Sequence, residues 1–193
     1  MVSQFTVAGT ASTQITVFDL DGTLLDSGAQ VIVTDGHVSR HLTQTEYDSY
    51  KLKPGERYDY SEFCSMAILN NSTILPCWSR LVAAYSAGRH VCILTARSDH
   101  RMVWEFFNEH GLDIKRALIF TINSPDCPFR GRTVADRKAE AIKHLTELGY
   151  RAFTIYDDSL SNLEAMERAC GESGAVAEVV RADIFNQAAL ICA

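Results

Sequence analysis

The feature that most constrains this chain is a short apolar segment that ends in two closely spaced carboxylates. Residues 15–18 have the character of a buried parallel strand, and Asp19, Asp21, Gly22 and Thr23 follow at once. Because strand residues two apart share a face, both carboxylates project together where the strand turns. A buried strand rarely ends in two like charges unless a cation or a catalytic task offsets their repulsion. The sequence therefore predicts a functional site at this turn.

Strand-like and helix-like segments alternate along most of the chain. The predicted strands lie near residues 14–20, 90–95, 116–122, 152–157 and 176–181. The predicted helices lie near residues 77–88, 99–110, 136–149 and 160–170. This alternation predicts an α/β fold, a Rossmann-like parallel sheet with helices on both faces. We expect one domain over residues 1–193, with its site at the carboxyl ends of the strands.

Residues 28–75 do not follow this alternation. An Asp35-Gly36 turn between β-rich segments predicts a flap hairpin, and we interpret residues 41–75 as a small cap insertion. The insertion holds a group of tyrosines, Tyr47, Tyr50, Tyr58 and Tyr60. These rings are suited to stacking on a base or a sugar, and equally to forming the insertion's own core.

Composition excludes several classes of protein. The 47% hydrophobic and 22% charged residues are typical of a globular protein, and no apolar run approaches the roughly 18 residues that span a membrane. The net charge of −6 disfavours tight binding of long duplex DNA. Six cysteines without a C-x-x-C pair disfavour a zinc site or a disulfide framework, and indicate a reducing, cytoplasmic setting. Met1 to Thr13 lacks the basic and apolar blocks of a secretory signal.

Four motifs in order give the chain a family resemblance. The D-x-D-G-T run from Asp19 to Thr23 resembles the first motif of the haloacid dehalogenase-like (HAD) superfamily of phosphohydrolases. The second motif of that superfamily is a strand that ends in Ser or Thr, the third is a basic residue near a helix start, and the fourth is a set of acidic residues after a strand. The matching residues are Thr95-Ala96-Arg97, Arg137-Lys138 and Asp157-Asp158.

The resemblance implies a role for each motif. Asp19 would be the nucleophile that forms an aspartyl-phosphate, and Asp21 would act as the acid and base. Thr95 would donate a hydrogen bond to a phosphoryl oxygen, and either Lys138 or Arg137 would stabilise the transferring charge. Mg²⁺ would be bound by Asp19, the backbone carbonyl of Asp21, and Asp157 or Asp158. The residues expected around the substrate are Gly22, Thr23, Ala96, Arg97 and Arg137.

The second, third and fourth motifs together also resemble those of the phosphatase domain of polynucleotide kinase-phosphatases and related RNA-repair HAD proteins. In that group the counterpart of Arg97 contributes to the phosphate site. No kinase P-loop accompanies the motifs here. Residues 41–75 also resemble the same segment of HAD-like proteins from tailed bacteriophages. The resemblance implies a phosphatase that acts on a nucleotide or polynucleotide end, in the manner of a 3′-phosphatase.

The sequence leaves other partners and functions open. One alternative is a phosphatase for a small non-nucleotide ester, and another is a HAD fold that binds without turnover. Basic residues between 115 and 138 adjoin the predicted phosphate site and are suited either to guiding a polyanion or to forming an ordinary solvated surface with charges of both signs: Lys115, Arg116, Arg130, Arg132, Arg137 and Lys138. We expect no membrane partner, and the oligomeric state is left open.

Overall fold

This computed structural model describes residues 13–191, apart from the side chains of residues 44, 45, 48 and 191. The strands are β1 (Gln14–Phe18), β2 (Leu25–Asp26), β3 (Val31–Thr34), β4 (Ser39–Leu42), β5 (Arg57–Asp59), β6 (Thr73–Ile74), β7 (His90–Thr95), β8 (Leu118–Thr121), β9 (Ala152–Asp157) and β10 (Val176–Arg181). The helices are α1 (Gln44–Ser49), α2 (Met66–Asn70), α3 (Trp78–Ser86), α4 (His100–Glu109), α5 (Val134–Glu147), α6 (Leu160–Glu172) and α7 (Ala182–Ile191). A 3₁₀ turn covers Ser61–Cys64.

Five strands form one parallel sheet in the order β10-β9-β1-β7-β8. The predicted Rossmann-like arrangement is therefore confirmed. Strand β1 lies in the middle, and Phe18 is paired with Ile93 of β7 and with Tyr156 of β9. Residues that follow Phe18 consequently emerge between the carboxyl ends of two neighbouring strands.

Helices cover both faces of this sheet because alternate strand residues point to opposite sides. Ile15 and Val17 of β1 pack with Ile142 of α5 and Leu163 of α6 on one face. On the other face, residues of α3 and α4 form a second core with Phe18. These two apolar layers, one on each face, hold the sheet in place and thereby position the carboxyl ends of its strands.

The insertion, residues 28–75, contains a three-stranded antiparallel sheet and the strand β6, which pairs with β2 just before the insertion. Strand β3 pairs with β4 through the predicted Asp35-Gly36 turn, where Gly36 has a φ of +92°, and also pairs with β5. Strand β2 pairs with β6, so the segments that enter and leave the insertion lie side by side. Because β2 follows the D-x-D-G-T turn directly, this pairing places the insertion beside the end of β1.

Helix α7 was absent from the predicted elements. It contacts β9 and β10, and its Phe185 packs against Tyr156 with ring centroids 6.4 Å apart. None of the helices in the described part of the chain is long and apolar enough to cross a membrane. Residues 1–12 lie outside the described residues, so the expectations for the N-terminus and for a single domain over 1–193 stay predictions.

Candidate active site

Three carboxylates meet at the carboxyl end of the sheet. Asp19 follows β1, Asp157 is the last residue of β9, and Asp158 is next. One oxygen of each lies within 4.8 Å of the others, and we call these residues the carboxylate cluster. Asp19 and Asp157 are buried, whereas Asp158 is half-buried. Since Phe18 pairs with Tyr156, the strand register itself brings Asp19 level with Asp157.

Lys138 is the cation inside this cluster. It lies in the first turns of α5, is 1% exposed, and its Nζ donates to Asp19 Oδ1 and to Asp157 Oδ2, each at 2.7 Å. A reciprocal capping box between Thr133 and Asp136 fixes the start of α5 and with it the direction of Lys138. Burial alone lowers the pKa of Lys138, but the charges of Asp157 and Asp19 outweigh burial and raise it.

Arg137, the other predicted cation, points away from the cluster. Its Nη2 donates to Asn123 Oδ1 at 2.6 Å and its Nη1 to the Gly131 carbonyl at 3.4 Å. The electrostatic influence of Arg137 reaches Tyr60 of the insertion. Of the two residues that the sequence left open, Lys138 contacts the carboxylates and Arg137 lies toward the insertion.

The charges in the cluster are not balanced by Lys138. Burial raises the pKa of Asp19 well above its usual range, with Lys138 opposing this and Asp157 and Asp158 adding to it. Burial, reinforced by the charge of Asp157, raises the pKa of Asp158 to about 6. Closely spaced carboxylate oxygens with surplus negative charge are the donors that a hard divalent cation prefers. The residues present therefore fit Mg²⁺.

Asp157 and Asp158 are not equivalent in this site. Asp157 Oδ2 accepts from Lys138, and its Oδ1 accepts from the Ser159 amide at 2.9 Å and from Asn162 Nδ2 at 3.0 Å. Within residues 13–191, Asp158 forms no ion pair with a basic side chain. Asp158 thus has the greater capacity to bind a cation directly, while Asp157 also positions Lys138.

The D-x-D-G-T turn is held close against the cluster. Gly22 has a φ of +75°, and a Cβ placed on it would lie 2.5 Å from Asp158 Oδ2. Thr23 is fully buried, and its Oγ1 has no hydrogen-bond partner among the described residues. The predicted contact of Thr23 with substrate stays a prediction, because its side chain faces the protein interior.

Asn186 of α7 is hydrogen-bonded to the backbone of this turn. This residue was not identified from the sequence. Its Nδ2 donates to the carbonyls of Thr23 at 3.1 Å and Gly22 at 3.5 Å, while its Oδ1 accepts from the Cys77 amide at 2.8 Å. Asn186 is 5% exposed. The only signal in the sequence was an amide side chain within an apolar helix-like tail.

Asp21 lies outside the carboxylate cluster and is paired with Arg97. The Arg97 guanidinium donates to both Asp21 oxygens, Nε to Oδ2 at 2.9 Å and Nη2 to Oδ1 at 2.8 Å. Thr95 is buried at the end of β7, and its Oγ1 accepts from the Arg97 amide at 3.2 Å. Ala96 is half-buried and packs against the core beneath α5 and α6. The second motif thus lies beside the first, as its position after β7 requires.

The insertion reaches the same place. The Phe63 carbonyl accepts from Arg97 Nη1 at 2.7 Å, and Cys64 Sγ lies 3.6 Å from Ser98 Oγ. Three of its tyrosines form one group, with ring centroids 5.2 to 6.3 Å apart: Tyr47, Tyr58 and Tyr60. Tyr50 is in a separate group with Arg40 and Glu56.

The basic residues between 115 and 138 are divided between two edges of the sheet. Lys115 and Arg116 precede β8, so they lie at the amino ends of the strands, and Arg116 donates to the Tyr85 carbonyl. Lys138 and Arg137 lie at the opposite, carboxyl edge. The sequence therefore suggested a single basic surface, but the parallel topology places these residues at two opposite edges of the sheet.

Comparison with known proteins gave only distant structural matches. No family model matches the sequence, and no curated protein matches it. The solved structures that resemble the chain include three that carry HAD-type descriptions. The HAD domain of effector protein Lem4 from Legionella pneumophila is 14% identical, with a TM-score of 0.44 over 86% of this chain and 84% of that one.

The second structure is a haloacid dehalogenase-like hydrolase from Streptococcus pneumoniae, 13% identical, with a TM-score of 0.49 over 91% of this chain and 97% of that one. The third is a HAD-superfamily hydrolase from Ehrlichia chaffeensis, 12% identical, with a TM-score of 0.45 over 94% and 98%. At these identities and scores we assign neither a family nor a function from the likeness. The interpretation of the site rests on its own residues.

Proposed function

We propose that this protein hydrolyses phosphomonoesters by a HAD-type mechanism in which Asp19 is transiently phosphorylated. The observation that carries the proposal is a buried lysine bridging two carboxylates, with a third beside them, where the central strand ends. The two bridged carboxylates are too buried for water to screen their mutual repulsion. Keeping like charges buried without a cation or a catalytic role costs folding free energy. A site for a phosphate dianion and a divalent cation accounts for both the excess acid and the single lysine.

The residues suit two successive displacements. Lys138 holds Oδ1 of Asp19 at 2.7 Å, which leaves Oδ2 outside that contact and suited to attack phosphorus. As the bond from phosphorus to the leaving oxygen breaks, Asp21 gives that oxygen a proton. A water then attacks phosphorus and passes a proton to Asp21, and the bond to Asp19 breaks to release inorganic phosphate. Thr95, beside this point, would donate its hydroxyl hydrogen to a phosphoryl oxygen.

Asp19, Asp158 and Asp157 would hold Mg²⁺, together with the Asp21 backbone carbonyl. When bound, this cation supplies charge neutralisation and orients the phosphoryl group. Lys138 keeps Asp157 and Asp19 in place whether or not the cation is bound, since both of its contacts are to protein atoms.

We further propose that the ester is a nucleotide or a polynucleotide end. Support comes from the insertion, which contacts the Arg97 segment and carries the group Tyr47, Tyr58 and Tyr60. Tyr60 is 44% exposed and lies within the electrostatic influence of Arg137, so an exposed aromatic ring and a basic side chain lie near each other. Base stacking on such a ring contributes roughly 1–3 kcal/mol. A phage origin of the chain stays a prediction.

The test is hydrolysis of 4-nitrophenyl phosphate by the wild type and by Asp19→Asn. We expect Mg²⁺-dependent turnover that EDTA abolishes and that the variant lacks. The variant should keep its fold, because the substitution preserves volume, but it should lose stability, because it breaks the buried pair with Lys138. An unaltered rate in Asp19→Asn would refute the nucleophile, and an inactive wild type would favour a binding module. A panel of 3′- and 5′-phosphorylated oligonucleotides, nucleotides and sugar phosphates then tests the substrate. Preference for sugar phosphates would favour the small-ester alternative.

A further inference from the structure

The guanidinium group of Arg97 forms its hydrogen bonds with other residues of the protein. Arg97 is 2% exposed, although it follows a strand end beside the proposed site. Two of its guanidinium nitrogens donate to Asp21, and the third donates to the Phe63 carbonyl at 2.7 Å. The Phe63 ring also lies 5.8 Å from the guanidinium carbon. Each guanidinium nitrogen of Arg97 thus already donates to a protein oxygen, and the side chain that carries the remaining hydrogens is buried.

Asp21 is correspondingly fixed. Oδ1 accepts from Arg97 and from Ser27 Oγ at 2.8 Å, and Oδ2 accepts from Arg97 at 2.9 Å. A two-point guanidinium–carboxylate contact sets the plane of the carboxylate as well as its distance, which a single-point contact does not. Lysine presents one compact charge and cannot reproduce this fork.

We propose that Arg97 is a positioning residue, which orients the Asp21 carboxylate for proton transfer and is itself oriented by the Phe63 carbonyl of the insertion. This inference rests on the proposed function. It differs from the role that the family resemblance implies, a direct contact between Arg97 and the substrate phosphate. The insertion then contributes to proton transfer, because the carbonyl of its residue Phe63 accepts a hydrogen bond from Arg97.

The two steps depend on Asp21 to different degrees. An aryl ester leaves as a stable phenolate, so phosphorylation of Asp19 needs little help from an acid. Hydrolysis of phosphorylated Asp19 is the same for every ester, and there a water attacks phosphorus, its proton goes to Asp21, and the electron pair of the broken bond returns to Asp19. Loss of the Asp21 orientation should therefore slow the second step selectively when the substrate is an aryl phosphate.

The test is rapid-quench kinetics of full-length Arg97→Gln with 4-nitrophenyl phosphate labelled at phosphorus. We expect kcat to fall by at least about 10²-fold, the lower range for lost acid–base catalysis. Labelled protein should accumulate toward one phosphoryl group per site, and inhibition by inorganic phosphate should be unchanged. On an alkyl phosphate, where both steps need Asp21, the loss in kcat/KM should be larger.

Three further variants keep the interpretation sharp. Ser98→Ala, in the same loop and in contact with Cys64, should behave as the wild type. Arg97→Lys, which retains charge in case the glutamine variant does not fold, should show the same accumulation of labelled protein. Asp21→Asn combined with Arg97→Gln should be no slower than Asp21→Asn alone, because the two residues act as one unit.

Opposite results have distinct meanings. Weaker inhibition by phosphate, equal losses on both esters and no labelled protein would overturn the inference in favour of a direct phosphate contact. Additive losses in the double variant would also overturn it. A wild type that neither turns over nor becomes labelled would overturn the proposed function, and this inference with it.

Discussion

Replacing Gly22 by alanine has two effects: it strains the backbone of the D-x-D-G-T turn, and it pushes Asp158 of the carboxylate cluster away from that turn. Gly22 has a φ of +75°, and a Cβ there would lie 2.5 Å from Asp158 Oδ2 and 2.8 Å from its Cγ. The left-handed conformation costs an alanine roughly 1–2 kcal/mol. Asp158 must also withdraw by about 0.9 Å to reach an ordinary contact of 3.4 Å.

Displacing a group that holds or orients a metal typically weakens metal binding about 10- to 100-fold. We therefore expect Gly22→Ala to need that much more Mg²⁺ for half-maximal binding by calorimetry, in addition to its loss of folding stability. Gly28→Ala is the matched control, since Gly28 has a φ of +64° and a Cβ there meets nothing within 4 Å. It should lose the same roughly 1–2 kcal/mol in urea unfolding and bind Mg²⁺ normally. Equal Mg²⁺ affinities in the two variants would refute the placement of Asp158 at the metal.

Further predictions concern other parts of the site. Asp158→Asn should weaken Mg²⁺ binding with little loss of stability, whereas Asp157→Asn should cost about 3 kcal/mol in urea unfolding with EDTA present, because it breaks a buried pair with Lys138; equal stabilities would contradict this division. Tyr60→Leu should lower kcat/KM for a 3′-phosphorylated oligonucleotide by the equivalent of roughly 1–3 kcal/mol and leave glycerol phosphate unaffected. Tyr150→Leu, at the amino end of β9, is its control, and equal losses on both substrates would assign Tyr60 to packing. Asn186→Leu should cost roughly 1–3 kcal/mol of stability, because the buried Cys77 amide loses its acceptor, and should lower kcat; the exposed neighbour Gln187→Ala should do neither.

The sheet could be predicted because each of its strands has a recognisable apolar pattern within a few consecutive residues. Buried parallel strands are largely apolar runs, and β7 and β9 lie where those runs predicted them. The edge strand β10, none of whose residues is buried, also lies at its predicted position. The hairpin turn at Asp35-Gly36 is likewise a local signal, since glycine is favoured at a φ of +92°. Helix α7 gave no such signal, because its sequence is apolar on several faces and shows no clear amphipathic stripe.

Contacts between distant segments could not be predicted. The Arg97–Asp21 pair joins residues 76 positions apart, and the sequence suggested a substrate contact for Arg97. In the structure the same guanidinium also donates to the Phe63 carbonyl of the insertion, a contact between residues 34 positions apart. The tyrosines show the same limit: three of the four rings pack together, whereas the ring of Tyr50 lies against Arg40 and its hydroxyl donates to Glu56.

The position of β1 explains why these distant groups meet. Because β1 is flanked by β7 and β9, a residue at its carboxyl end has a strand end on each side, about 4.8 Å away. The register with β9 sets Asp157 beside Asp19, and the register with β7 sets Thr95 and Arg97 beside the turn that carries Asp21. The insertion leaves the chain directly after this turn and returns through β6, which pairs with β2. Its 3₁₀ turn thereby lies beside the end of β7, where Arg97 contacts both Phe63 of the insertion and Asp21. Because Arg97 links Asp21 to Phe63 of the insertion, whereas Lys138 contacts Asp19 from α5, we expect a displacement of the insertion to alter the orientation of Asp21 more than that of Asp19.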